Sequence, residues 1–385
     1  MGRRASAPGA PLSFDAGDPL ANYKRTSLYA EHKALGARLI PFGGWEMPVE
    51  YSGIAKEHTA VRTAAGLFDV SHMGEFEVRG PEALDLIQVT STNDASKLVD
   101  GQAQYSAMAY PHGGVVDDLL VYRHNAEHFM VVVNAANIDK DFEWMNSHNQ
   151  LDASIDNVSD DVTLLALQGP KAIDILQPST DVPLAGLAYY HFSRGKVLNV
   201  DAIVSRTGYT GEDGFELYFP AGKSEPVWKG ILEAGGPLGL LPAGLGARNT
   251  LRLEAKMLLF GNDMDGTTTL LEAGLGWIVK FEKGQFIGRD ALLKQKQEGV
   301  RRRLVGFEML GRDIARDRYP VFIHGREAGH VTSGSPSITL KKNIGLAYLP
   351  AEHASIGASF HVSVRSKLSE ARVVRTPFYK REEYA

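Results

Sequence analysis

Between Gly113 and Arg123 the chain reads GGVVDDLLVYR, two adjacent aspartates inside a run of β-branched and apolar side chains. Such a run forms a strand with at least one face covered. An ionised carboxyl inside it is costly unless paired. Side chains alternate along a strand, so Asp117 and Asp118 point to opposite faces. Asp118 then sits with Val116, Leu120 and Tyr122, and Asp117 with Val115, Leu119 and Val121. One aspartate can reach solvent, so the strand divides two environments. The preceding QYSAMAY (Gln104–Tyr110) reads as a second strand and PHGG (111–114) as a turn, which together make a hairpin. With Tyr110 opposite Val115, Tyr105 falls opposite Leu120, on the face of Asp118 and Tyr122. A slip of one residue would move Tyr105 to the other face. The competing reading is two solvent-facing acids on an edge strand.

Around this strand, 385 residues are too many for a single compact core and imply two or three domains. A hydrophobic fraction of 44% and a charged fraction of 23% are those of a soluble globular protein. The net charge of −5 leaves no overall basic surface for nucleic acid or anionic lipid. No apolar stretch approaches the roughly 18–20 residues that cross a bilayer. Neither nucleic acid nor membrane is therefore expected as a partner, and the expected location is cytoplasmic. The chain has no cysteine, which excludes a thiol nucleophile, thiolate-ligated zinc, iron–sulfur clusters and disulfides. Its opening residues, MGRRASAPGAPLSFDAGDPL, are small and rich in proline and glycine, so residues 1–25 read as a flexible leader. A transit sequence to the mitochondrial matrix is the alternative, which an arginine pair without an amphipathic run supports poorly.

Strands and helices mix without regular βαβ alternation, which makes the fold class α+β. Helices are expected at 28–35, 53–65, 81–90, 138–147 and 224–234, with a long one over 242–260. VSHMGEFEVRG, FMVVVNAAN, VTLLALQG, VDAIVSRTG and FELYF read as strands. A charged run at 294–303 closes this region, which spans 26–295. Beyond it LVGFEM, YPVFIHG, REAGHVTSG, NIGLAYL and SFHVSVR, parted by turn residues, predict a small all-β unit over 300–380.

The common catalytic signatures are missing. There is no GxxxxGKS/T, HExxH or GxSxG, and GLG at 244–246 lacks the third glycine of a dinucleotide fingerprint. The twelve histidines form no HExxH-type pair, so no metal site is expected. Two further segments stand out. In RTGYTGEDGFEL (206–217) glycines frame Tyr209, and Glu216 follows on a strand beside Tyr218. A carboxylate there could hold a planar heterocycle through parallel N–H···O bonds, or it could simply face water. In GLGARNTLRLEA (244–255) Arg248 and Arg252 share one side of a helix near its start. An anionic ligand would relieve their opposition to the helix dipole. A solvated stripe or an intrachain ion pair is the other reading.

These segments, together with FGGWEMPVEY, GLFDVSHMGEF, VVNAANIDKD, GNDMD and KGQFIGRDAL, resemble the aminomethyltransferase family, the T protein of the glycine cleavage system. The resemblance runs from Thr26 to Phe378 with the motifs in order. It implies a three-domain ring, two intertwined α+β domains and a C-terminal β-barrel, around a central channel that takes tetrahydrofolate as one-carbon acceptor. It implies lipoylated H protein as partner. The family's catalytic aspartate, in its GG(I/V)(I/V)DDL motif, matches Asp118. By the same matching Tyr105, Tyr122 and Tyr209 correspond to channel aromatics, Glu216 to the carboxylate at the pterin edge and Arg248 to the cationic folate contact. Asn134 and Met73 are further matches, with strand-end hydrogen bonding and core packing as their plain alternatives.

Relatives of other function are separable on the sequence. A folate-binding iron–sulfur repair protein would carry a cysteine where KGQFIG has Gln285, and a dimethylglycine- or sarcosine-oxidising flavoenzyme would carry a long flavin-binding portion. A folate-dependent demethylase of a small sulfur compound and a non-catalytic folate-binding protein are the remaining alternatives.

Overall fold

Three β-systems organise residues 23–381, the part of the chain that the computed structural model describes. The expected leader lies almost wholly outside these residues. The first system is a five-stranded antiparallel sheet in the spatial order 102–109, 115–125, 128–133, 74–79, 154–157. The second has six strands in the order 192–197, 200–205, 214–220, 162–168, 65–69, 240–242, the last of them parallel to its neighbour. The third is a closed six-stranded barrel over 302–374. A short hairpin, Arg38–Phe42 with Trp45–Glu50, stands beside them.

The two open sheets face each other. Tyr122, Met130 and Val132 of the first interdigitate with Leu164, Ala166 and Tyr218 of the second. Helices Ala83–Thr90 and Ile138–Ser147 cover the outer face of the first sheet over Phe76, Phe129 and Val131. Ala172–Leu176 and Ser224–Gly235 cover the second. The result is a helix–sheet–sheet–helix stack. Both faces of the central strands are covered, which is why those strands read as apolar runs, whereas the edge strands Ser154–Asn157 and Phe192–Val197 keep an exposed face. The whole first sheet is inserted between two paired strands of the second, where Gly66 meets Gln168. Among the described residues no helix is long and apolar enough to cross a membrane.

Three sequence expectations need correction. The strand expected over VSHMGEFEVRG is broken at 71–73, because Met73 N–H bonds back to Val70 and a new strand begins only at Gly74. The long helix expected over 242–260 is Leu245–Glu254 alone. It stops in a Schellman-type close, Lys256 N–H to Leu253 O and Met257 N–H to Arg252 O, with Lys256 left-handed at φ 55°. This reversal turns residues 257–260 inward. Finally, the barrel has a sixth strand, Lys367–Val374, which pairs with Arg302–Met309 and closes the cylinder.

Two buried charged knots on the Leu245–Glu254 helix fasten the barrel. Arg252 reaches Asp263 at 2.6 Å and Ser333 at 2.9 Å, while Asp263 also accepts from Thr332 and Ser333. Glu254 accepts from Arg62 at 2.9 Å, and from Ser337, Thr339 N–H and Thr339 Oγ1. Arg252 thus takes the ion-pair alternative and is separated in role from Arg248.

Candidate functional site

The hairpin supplies the floor of the site. Its register runs from Gln102↔Arg123 through Tyr105↔Leu120 to Met108↔Asp117. A bulge then leaves Ala109, not Tyr110, opposite Val115. The bulge reverses the alternation at the strand's start. Val116, expected beside Asp118, instead packs with Leu119 and Val121 under the sheet, and Val115 faces the opposite way. Below the bulge Asp117 and Asp118 diverge as the strand geometry requires.

Asp117 is sealed in the core, where it accepts from Asn134 N–H at 3.1 Å, Asn134 Nδ2 at 2.8 Å and Asn137 Nδ2 at 2.8 Å. Asp118 looks into a cavity of about 850 Å³ between the sheets. It accepts from Tyr105 Oη at 2.8 Å and from the same Asn134 Nδ2 at 2.9 Å. One amide nitrogen therefore spans both carboxylates. Burial and the neighbouring Asp117 charge push the Asp118 carboxyl up to about 7, against the pull of Tyr105 and Asn134. Asp141, buried on the adjoining helix, is held well above the ordinary carboxylate range by burial and by Asp117.

The opposite wall carries Glu216, 7% exposed, whose Oε2 accepts from Thr207 at 2.5 Å. Burial raises its pKa, while Thr207 and Arg248 draw it down. Thr207 belongs to a hydroxyl network with Ser205, Tyr122 and Tyr218. Tyr122 itself lies in this network with no exposure and does not line the cavity. Its ring packs between the sheets and its hydroxyl reaches Glu216 only through Thr207.

Arg248, from the first turns of its helix, closes one side. Its guanidinium lies 4.4 Å from the Tyr209 ring centroid. Among the described residues no carboxylate or carbonyl bonds to it, and burial lowers its pKa. Tyr209 is fixed by its hydroxyl bond to Leu258 O, on the segment that the helix end turns inward. Met73 and Asn134 also line the cavity. The acids of the glycine-rich loop do not: Asp213 grips Arg206 in a bidentate pair, and Glu212 binds Arg62 and Tyr379.

Sequence reasoning passed over His72, Tyr190 and Trp277, which line the same cavity. His72 is buried, its Nδ1 has no hydrogen-bond partner among the described residues, and burial with Arg248 lowers its pKa to about 3, so it stands neutral. Trp277 lies 5.9 Å from the Tyr105 ring and remains 59% exposed. It sits on a single 3-10 turn, Gly276–Ile278, and its exposure arises from the fold rather than from any signal in the sequence. The cavity thus offers flat rings, one poised carboxylate, a second carboxylate across from it and an unpaired guanidinium. That set suits an amphipathic planar ligand with an anionic end.

Comparison with known proteins agrees with this architecture. Residues 28–283 match the family model of the GCVT N-terminal domain, and residues 302–380 that of the glycine cleavage T-protein C-terminal barrel domain. An aminomethyltransferase of Desulfitobacterium hafniense is 53% identical over 364 residues, covering 94% of this chain and 100% of that one. One from Moorella thermoacetica is 52% identical over 363 residues, covering 94% and 99%. The crystal structure of glycine cleavage system aminomethyltransferase T from Bartonella henselae superposes with a TM-score of 0.88 at 34% identity, covering 93% of this chain and 99% of that one.

Proposed function

Because the chain belongs to the glycine cleavage T-protein family of aminomethyltransferases, we propose that it passes a methylene group from the aminomethyl-dihydrolipoyl arm of lipoylated H protein to tetrahydrofolate. Ammonia leaves, and 5,10-methylenetetrahydrofolate forms. The observation that carries this reading is Asp118, a carboxylate fixed by Tyr105 and Asn134 and facing a cavity large enough for a folate-sized ligand. Tetrahydrofolate supplies the nitrogen nucleophiles that take up the one-carbon unit. Its fit is supported by Glu216, which has a bonding edge for a heterocycle, and by Arg248, a cavity-lining guanidinium to which no carboxylate or carbonyl of the described residues bonds. Tyr209 and Met73 form apolar wall on this reading, and Tyr122 acts only through Thr207 on Glu216.

Breaking the aminomethyl C–S bond leaves the electron pair on sulfur and positive charge on the methylene–nitrogen fragment. Ionised Asp118 offsets that charge in a site largely screened from water, and it can take the proton released at the accepting nitrogen. Both duties require the carboxylate form. The kcat/KM profile is therefore expected to rise with pH through a single ionisation near 7 and then level off. A profile flat through that region, read as initial rates of ammonia release, would reject the assignment.

Arg248→Ala removes this cation but leaves the hairpin intact. Folate binding is expected to weaken by about ten- to a hundredfold, the equivalent of one charged hydrogen bond, with a smaller change in kcat. Wild-type affinity in a fluorescence titration would overturn that role. The activity itself is tested by ammonia release from methylamine-loaded H protein with and without tetrahydrofolate. Release that needs folate supports the transferase; folate binding without release would favour a binding-only protein or a demethylase.

A further inference from the structure

At the far end of the first sheet, the strands Val115–Asn125 and His128–Val133 meet in a tight turn, and a histidine stands on each side of it. Asn125 pairs with His128, and a register shift between Arg123 and Asn125 places His124 at a bulge. The irregularity brings the two imidazoles together, with ring centroids 4.4 Å apart. Glu77 comes from the next strand, where its neighbour Arg79 lies directly opposite His128. His128 Nε2 bonds to the Glu77 carboxylate. The His124 Nε2 is buried with no hydrogen-bond partner among the described residues. Three strands thus deliver two imidazoles and a carboxylate whose donor atoms all lie within 4.8 Å of one another, beside a surface pocket closed on its other side by Phe192 and Arg194.

We propose that Glu77, His124 and His128 form a binding site for a divalent transition metal ion of the zinc class, with water completing its shell. Two nitrogens and one oxygen are the donor set that zinc and its neighbours favour, whereas calcium and magnesium prefer oxygen alone. Two exposed cations compete for the donors: Arg79 lies 3.2 Å from Glu77, and the Arg194 guanidinium 3.4 Å from His124 Nδ1. Both are on flexible stems and can swing into water, so the ion replaces guanidinium groups rather than opening a closed core. The site is remote from Asp118, and none of its three residues lines the catalytic cavity. A bound ion would tie the hairpin tip to the neighbouring strand.

The test is isothermal titration of the untagged, chelator-treated full chain with Zn²⁺, and separately with Mg²⁺. A saturable Zn²⁺ site is expected, with no Mg²⁺ binding. Glu77→Gln and His128→Gln are each expected to weaken Zn²⁺ binding at least about tenfold, and Arg194→Ala to strengthen it. His124→Gln serves as a second imidazole variant should His128→Gln fold poorly, with far-UV circular dichroism as the folding check. Absence of Zn²⁺ binding to the wild type overturns the site. So does binding that survives in folded Glu77→Gln and histidine variants, which would assign the ion elsewhere on the chain.

Discussion

Asp118→Asn is expected to lower kcat by roughly a thousandfold while leaving folate affinity within a few-fold of wild type. The substitution keeps the shape of the side chain and one oxygen, which can still accept from Asn134 Nδ2, while the new amide N–H meets the Tyr105 hydroxyl; the present carboxylate accepts from these two groups on separate oxygens, at 2.9 and 2.8 Å. It removes the charge. Ground-state contacts with a planar ligand fall mainly to Glu216, Arg248 and the rings, so binding has little reason to change. The transition state alone loses its counter-charge, and the loss belongs in kcat. The variant should also lose the rise of activity near pH 7, because the group that titrates there is gone. Single-turnover ammonia release and a folate titration on one preparation separate the two quantities. Undiminished turnover would remove Asp118 from the chemistry; a parallel collapse of folate binding would make it a binding residue.

The second large effect concerns architecture. Glu254→Ala is expected to cost about 3–5 kcal/mol, because it takes from buried Arg62 one of its two carboxylate partners, leaving only Glu212, and strips acceptors from Ser337 and Thr339. Its consequence should be seen first at the contact between the helix and the barrel. Limited proteolysis between 255 and 302 would report it, alongside a lower urea midpoint. The pH dependence has a definite sign. Burial opposes ionisation of Glu254, yet His58, Ser337 and Thr339 outweigh it and hold the carboxyl well below the ordinary range. A carboxyl depressed in the folded state contributes stability above its unfolded pKa of about 4.3. That contribution is lost as the pH falls. The variant should therefore lie closer to wild type in acid than at neutrality. An equal gap at both pH values would deny the carboxylate this role.

Much of the floor of the site was legible because a hairpin of fixed register leaves few choices. Once Tyr105 stands opposite Leu120, it must share a face with Asp118. The bulge was not legible, since nothing in VVDD marks which valine is the extra residue. The helix over 242–260 was over-extended for a related reason. Apolar residues continue past Glu254 into Met257–Phe260, but a lysine occupies the left-handed position at which a glycine would have announced the stop. The strand Lys367–Val374 was missed because its apolar and polar residues do not follow its faces: Leu368 points outward with Glu370 and Arg372, while the inward positions are the small Ser369, Ala371 and Val373. Loop acids raised a different difficulty. Asp213 and Glu212 sit beside Tyr209 in sequence yet spend their charge on Arg206 and Arg62, pairings that only the tertiary fold creates. The Glu77, His124 and His128 cluster was missed because the two histidines, four residues apart in sequence, lie on two strands across a turn, and Glu77 comes from a third strand that only the fold brings alongside.

The insertion of one sheet between two paired strands of the other has a bearing on biogenesis. Gly66 and Gln168 are neighbours in the finished protein but about a hundred residues apart along the chain. At ribosomal rates of roughly 5–20 residues per second, the strand Ala65–Asp69, buried at every position, waits some 5–20 s for its antiparallel partner. Over that interval the nascent chain exposes a sticky edge for which a chaperone is the natural cover. The inserted strands 74–157 suffer no such delay, because every one of their pairings is available once Asn157 has emerged. Translation therefore delivers the aspartate hairpin on a finished platform before Glu216 and Arg248 have been made. The cavity is completed from one side, in the order in which the message is read.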